Sequence, residues 1–174
     1  IRFEQERIPL QEVHDPAILK AAQRRSRKAQ GPYPSNDGFC AMVRILEHGT
    51  AEWAQIGYIY LNNASDSTNT FETKVDSIIT AIQTGLPFKL AANMFTSEGF
   101  ETNGDIHWKK LSNAFPEIRN SVVAHRKGDL FKVFVPAKGW FVILVTEEPG
   151  LYEYVTYVLY RGAFCQTTEG LPCK

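Results

Sequence analysis

The chain has 174 residues, of which 44% are hydrophobic, and its 19 basic side chains balance its 19 acidic ones, so the formal net charge is zero. That size and apolar content suffice for one sizeable core, so we expect one domain with extensions. The charge balance excludes a global field that would steer the chain to nucleic acid, and no apolar run reaches the roughly 20 residues of a bilayer span.

Residues 16–30 read as a helix, with Asp15 as the N-cap and Pro16 in the first turn. A basic patch, residues 24–28, is expected on its second half. We interpret this patch as a solvated helix end; the alternative is contact with anionic lipid or an acidic partner protein. Residues 31–38 are dense in turn formers and mark a boundary, so residues 1–38 are predicted to be an N-terminal arm and linker.

Apolar periodicity assigns the elements of the following segment, residues 39–148, which we expect to form the main domain. Strand-like residues occupy two runs separated by His48-Gly49-Thr50, and a helical stripe of apolar residues ends at Gly85. A second helix starts at Leu86-Pro87-Phe88, and two strands joined by a hairpin close the domain. The four predicted strands span residues 39–46, 52–61, 131–135 and 140–145.

Residues 149–174 are predicted to be a tyrosine-rich extension. Its segment 151–160 favours a strand, although a helix fits nearly as well, and its tyrosines are expected to pack against the domain rather than to stack on a ligand. Cys165 and Cys173 flank a short segment that can fold back, so we expect a disulfide between them and an extracytoplasmic location. Cys40 is then expected to be a buried free thiol, with intermolecular pairing as the alternative.

No metal or cofactor is expected. The four histidines show no ligand spacing, and the cysteine pair lacks a matching pair of ligands for zinc. The chain starts with Ile1, so we expect any signal or anchor segment to precede residue 1.

Four motifs in a fixed order carry the functional information. They are Gly-Asp-x-x-Trp at residues 104–108, Pro-Glu-Ile at 116–118, Lys-Gly-Asp-Leu at 127–130 and Gly-Trp-Phe-Val-Ile-Leu-Val at 139–145. Together with Gly-x-Pro-Phe-x-x-Leu-Ala at residues 85–92, this order resembles the parvulin, or PpiC-like, family of peptidyl-prolyl cis-trans isomerases, over residues 53–147. The resemblance implies an α+β fold: a mixed, mainly antiparallel sheet of about four strands with helices around it.

The resemblance also implies a shallow site for a proline-containing segment. The family's usual residues there are a histidine on the first strand, an acidic or cysteine residue, a Met, a Phe and a histidine on the last strand. None is retained here. The matching positions are Gly57 or Tyr58, Ser97, Ala114, Ile118 and Phe141.

We therefore expect a degenerate active site. Ile118 and Phe141, with Phe115 and Trp108 nearby, are predicted to form an apolar groove, and Ser97 is predicted to donate one hydrogen bond. The alternative is that these residues only fill the core.

Three functions follow. The first is a folding factor or chaperone domain that binds extended or proline-containing polypeptide segments with weak or no isomerase activity. The others are an active prolyl isomerase with a rebuilt site, and a non-catalytic docking module that uses the two extensions. Unfolded polypeptides are the expected partners, and nucleic acid is not.

Overall fold

The computed structural model describes residues 2–34, 40–62, 69–97, 105–136 and 138–162. Four strand pairs run antiparallel, β1 with β6, β2 with β3, β3 with β4 and β5 with β6, so the predicted α+β class is confirmed. None of the described helices has the length and hydropathy to cross a bilayer. The elements are β1 (Arg2–Pro9), α1 (Pro16–Gln23), β2 (Gln30–Pro34), β3 (Cys40–Asn62), α2 (Asn69–Gln83), α3 (Phe88–Phe95), β4 (His107–Lys110), α4 (Pro116–Val123), β5 (Leu130–Val135) and β6 (Gly139–Gly162).

The chain divides into two compact units. One is Glu52–Gly150, and the other combines Ile1–Ala51 with Leu151–Lys174; β3 and β6 contribute residues to both. This division differs from the predicted one, in which residues 1–38 and 149–174 were separate extensions.

The terminal unit has a hydrophobic core of its own. β1 pairs antiparallel with β6, from Arg2 opposite Arg161 to Pro9 opposite Tyr154, and β2 pairs with β3. The buried residues of α1 pack on alternate residues of β3 and β6. The described part of the predicted arm is therefore folded structure, and segment 151–160 is a strand. The cluster comprises Val13, Ala17, Ile18, Ala21, Ala22, Ala41, Val43, Ile45, Val155, Tyr157 and Leu159.

The prediction of a helix over residues 16–30 is wrong in its second half. Asp15 caps α1 as expected, because its Oδ1 accepts from the backbone N–H of Ala17 at 2.8 Å, but the helix ends at Gln23. Arg25 then adopts φ 47°, which reverses the chain, and the Gln30 side chain donates to the carbonyl of Ala21 at 3.2 Å. The basic patch therefore lies in the turn between α1 and β2.

The expected break at His48-Gly49-Thr50 is also absent, because all three residues belong to the continuous strand β3. A Cβ at Gly49 would lie 2.7 Å from atoms of the Tyr154 ring. Glycine therefore serves close packing of an aromatic ring on the strand here rather than a turn.

Cys40 is buried and disulfide-bonded, so the prediction of a free thiol is wrong. Cys165 and Cys173 lie outside the described residues, and the bond predicted between them stays a prediction. Because the chain has three cysteines, that bond and a bonded Cys40 are alternatives within one molecule.

Unit Glu52–Gly150 is a sheet covered on both faces. It contains parts of β3 and β6 with β4 and β5, four strands in all, as the resemblance implies. The strand β4 was not among the four predicted above, and residues 39–46 belong to the other unit. Helices α2 and α3 pack on one face through Val75, Ile78 and Ala91, and α4 covers the other through Ile118 and Val122. Burial on both faces explains why the runs in β3 and β6 are apolar at consecutive positions.

Candidate functional site

The site begins with the alternation of side chains along β3. Ala54, Ile56 and Tyr60 belong to the core on the α4 face, with Tyr58 partly buried against it. Gly57 points the opposite way, since a Cβ there would lie 2.7 Å from Cε1 of Phe88 on α3. Of the two candidates for the family's first-strand position, Tyr58 is therefore the one that shares a face with Phe141.

Phe141 forms the centre of the site. Its side chain is 2% exposed, and its ring centroid lies 6.1 Å from that of Tyr58, 5.0 Å from that of Tyr60 and 6.4 Å from that of Phe115. We call Tyr58, Phe141 and Phe115 the aromatic row. Tilted rings at these separations are typical of favourable aromatic contacts.

Phe115 is held in place by the start of α4. A residue before proline is restricted to extended backbone, and Phe115 has φ −58° and ψ 144° as the N-cap of the helix that Pro116 begins. Its ring is 38% exposed while still contacting Phe141. Phe115, half-buried Tyr58 and half-buried Ala114 are therefore the parts of the site that a ligand can reach.

Ile118 and Phe141 lie on the same side of the sheet, in one core cluster, as the resemblance requires. Both are buried, at 8% and 2% exposure, so they form the floor under the row and do not line an open groove. The side chains of Ile118 and Phe141 therefore fill the core, as the alternative prediction states. Tyr58 and Phe115, in contrast, are partly exposed.

Trp108 does not join the row. In the pairing of β3 with β4, Trp108 lies opposite Gln55, whereas Lys109 and His107 lie opposite Ala54 and Ile56. Directly opposite residues share a face, so Trp108 falls on the face away from Phe141. The prediction that Trp108 lines the groove is wrong, because successive side chains of the short strand β4 point to opposite faces of the sheet.

Ser97 bonds to the main chain of β3, and the hydrogen bond that its hydroxyl is predicted to donate stays a prediction. Its Oγ accepts from the backbone N–H of Asn62 at 2.9 Å, and its own N–H donates to the carbonyl of Tyr60 at 2.8 Å. Ser97 therefore extends backbone pairing along β3. Its contact with the site is through the main chain of Tyr60.

The electrostatics of the row do not favour proton transfer. Burial raises the pKa of Tyr58 above its usual value, so the hydroxyl, which is protonated at neutral pH in any case, is a still weaker acid. The Nζ atoms of Lys109 and Lys138 lie 5.9 Å from the Tyr58 centroid and 6.0 Å from the Phe115 centroid, the outer range of a cation–π contact. Among the described residues, no group of three or more His, Cys, Asp or Glu side chains could hold a metal ion.

Sequence reasoning missed Tyr60, Lys109 and Lys138. Period-two alternation from Ala54 would have placed Tyr60 beside Tyr58. The lysines carry no such signal, because the contact of each with an aromatic ring depends on how distant strands pair.

An antiparallel sheet with helices on both faces is the arrangement that the resemblance to the parvulins implies. Residues 41–149 match the profile of the PpiC-type PPIase domain, so the chain belongs to that family. Among curated protein sequences none matches the chain significantly.

One solved structure supports the fold, and two others are similar to part of the chain. A crystal structure of a PpiC-type peptidyl-prolyl cis-trans isomerase domain aligns with TM-score 0.50 and 18% identity, covering 56% of this chain and 91% of that one. The peptidylprolyl isomerase PrsA from Bacillus anthracis aligns with TM-score 0.47 and 17% identity over 58% of this chain and 44% of its own, so the match spans less than half of that protein. The solution structure of TbPIN1 aligns with TM-score 0.41 and 17% identity over 56% of this chain and 96% of its own.

Proposed function

We propose that this chain is a folding factor that holds extended or proline-containing polypeptide segments against the aromatic row, with isomerase activity weak or lost. The observation that carries the proposal is the aromatic pair Tyr58 and Phe141. Their rings lie 6.1 Å apart at the positions to which the resemblance assigns the family's two histidines.

The loss of activity follows from what an isomerase must do. Rotation about the peptide bond has a barrier of about 18–20 kcal/mol, and a catalyst lowers it only by binding the twisted amide more tightly than the planar one. An apolar surface contacts the side chains of both planar isomers and of the twisted form about equally. Binding of that kind does not accelerate rotation.

The surface suits weak, unselective holding of a chain. The exposed part of Phe115 and the half-buried ring of Tyr58 offer apolar contact to a proline or aromatic side chain. An aromatic contact contributes about 0.5–1.5 kcal/mol beyond the buried area. A few such contacts give the short-lived complexes that a folding factor requires.

An extracytoplasmic location is part of the proposal. Disulfides persist in oxidising compartments and are rare in the cytosol, and Cys40 is disulfide-bonded. The client polypeptides would then be chains that fold outside the cytoplasm.

The test combines binding and exchange on one Xaa-Pro peptide. Chemical-shift titration should show binding, while NMR exchange spectroscopy should give a cis–trans rate equal to that in buffer. A rate that rises in proportion to protein concentration would instead establish an active isomerase with a rebuilt site.

A matched pair of variants locates the binding surface. Phe115→Ala should weaken binding by more than about 1 kcal/mol, or about fivefold, as expected for a central aromatic contact. Phe134→Ala is the control, because Phe134 is 45% exposed but packs on Trp140 at 5.2 Å, away from the row. Equal losses in both variants would show that the peptide does not bind at the row.

A further inference from the structure

We propose that the aromatic row selects acidic segments, in which a proline or apolar residue is flanked by carboxylates. This inference rests on the proposed function and names the chemistry of its polypeptide. It comes from two lysines: Lys109, whose ammonium lies near the Tyr58 ring, and Lys138, whose ammonium lies near the Phe115 ring.

Lys138 is placed by the β5–β6 hairpin. Its backbone N–H donates to the carbonyl of Val135 at 3.1 Å, and its own carbonyl accepts from the hydroxyl of Tyr60 at 2.8 Å. Because Tyr60 is itself packed on Phe141, the hairpin residue is tied to the floor of the site. The anchored backbone places Lys138 beside Phe115, and its ammonium lies 6.0 Å from the Phe115 ring centroid.

Lys109 is placed by strand pairing. It lies opposite Ala54, so its side chain is on the same face of the sheet as Tyr58. Its ammonium stands 5.9 Å from the Tyr58 ring. Contact with an aromatic face leaves the hydrogen-bond donors of an ammonium able to bind a carboxylate.

In the described part of the chain, carboxylates on the neighbouring segments form no ion pair with these two lysines. Glu52 is paired with Arg119 at 2.9 Å, and Asp105 with Lys89 at 2.8 Å. Glu117 lies in the first turn of α4, where the helix dipole stabilises it. Among the ion pairs of the described residues, none involves Lys109 or Lys138. The positive charge is therefore available to a ligand.

The spacing fits an extended peptide. The ammonium of Lys109 lies 5.9 Å from the ring centroid of Tyr58, and that of Lys138 lies 6.0 Å from the ring centroid of Phe115. An extended chain advances about 3.3 Å per residue, so about two residues span either distance. An apolar residue on one of these rings thus brings a carboxylate about two positions away within reach of the neighbouring lysine.

The experiment compares three peptides of equal length with a central Phe-Pro pair flanked by Glu, Gln or Lys. Fluorescence anisotropy at low ionic strength should show the Glu peptide binding about 1.5- to 5-fold more tightly per ion pair than the Gln peptide, the range for exposed pairs. The Lys peptide should bind most weakly. The advantage of Glu should shrink as salt rises to roughly 0.5 M.

Lys109→Gln and Lys138→Gln should each reduce the preference for Glu over Gln. Lys74→Gln is the matched control and should retain it, because Lys74 also stands over an aromatic ring, at 5.6 Å from that of Phe71, but on α2.

The outcomes separate this inference from the function on which it rests. Equal affinity for the Glu and Gln peptides overturns the inference alone. So does a preference for the Glu peptide that persists in both Lys109→Gln and Lys138→Gln. Absence of binding by all three peptides overturns the proposed function and the inference with it.

Discussion

Truncation of Phe141 and of Phe115 should have very different effects on stability. Phe141 is 2% exposed and packs against Tyr58, Tyr60 and Phe115, so Phe141→Ala should lower the free energy of unfolding by about 3–5 kcal/mol. Phe115 is 38% exposed. Only roughly three fifths of the 1.5–3 kcal/mol for full burial of such a side chain is realised there, so Phe115→Ala should cost about 1–2 kcal/mol.

The assay is urea unfolding followed by tryptophan fluorescence. Trp53, Trp108 and Trp140 are all the tryptophans of the chain, and all lie in unit Glu52–Gly150, so the signal reports on the unit that contains the site. A change in midpoint at constant slope measures stability alone. Leu90→Ala, at a position 48% exposed on α3, is the control for truncation at the surface.

The reasoning is refuted if the two phenylalanine variants lose the same stability, or if Phe141→Ala costs less than about 1 kcal/mol. Either result would mean that Phe141 is not the buried floor of the site. The distinction between a core residue and a ligand-accessible one would then be lost.

Three further predictions concern other parts of the chain. Gly57→Ala should destabilise by about 1–3 kcal/mol, because its Cβ would lie 2.7 Å from Phe88, and combination with Phe88→Leu should cost less than the sum of the two single changes in urea unfolding. Non-reducing peptide mapping should find Cys40 linked to one of the two C-terminal cysteines; a free Cys40 thiol would contradict the structure. Burial and a hydrogen bond to Glu6 raise the pKa of Tyr157. The protonated side chain therefore stabilises the fold fully below the unfolded-state pKa of about 10, and this contribution is lost as pH rises beyond that value. Tyr157→Phe should reduce the loss of stability at alkaline pH when unfolding is followed by circular dichroism, and an unchanged dependence of stability on pH would exclude the effect.

Local patterns predicted α2 and the apolar strand segments of β3 and β6. The stripe that ends at Gly85 became α2, and the apolar runs in β3 and β6 became strands covered on both faces. These features depend on periodicity within one segment, which the sequence contains directly.

The misses depend on distant contacts. β1 carries Glu4, Glu6 and Arg7, so nothing in its own pattern announces a strand, and its pairing with β6 joins the two ends of the chain. The end of α1 at Gln23 likewise depends on the reversal at Arg25. Composition cannot reveal either contact before the fold brings the partners together.

In the site, a shift of one residue along a strand decides whether a side chain faces Phe141. Tyr58 and Gly57 were equal candidates from the sequence, yet they lie on opposite faces of the sheet, and only Tyr58 contacts Phe141. The same alternation along β4 places Trp108 on the face away from Phe141 and Lys109 on the face of Phe141. On the short strand β4, the faces of Trp108 and Lys109 are therefore predictable only when its pairing register with β3 is known.

The replacement of a histidine pair by Tyr58 and Phe141 changes how the site can discriminate among ligands. Histidines supply hydrogen-bond donors and acceptors that respond to the geometry of an amide, whereas two aromatic rings respond chiefly to apolar area. Discrimination among ligands must then come from groups around the rings. The ammonium groups of Lys109 and Lys138 lie near the accessible rings of Tyr58 and Phe115. Under the proposed function, the site would discriminate by the charge of the flanking residues rather than by the twist of the amide, which is a property of a holding factor rather than of a catalyst.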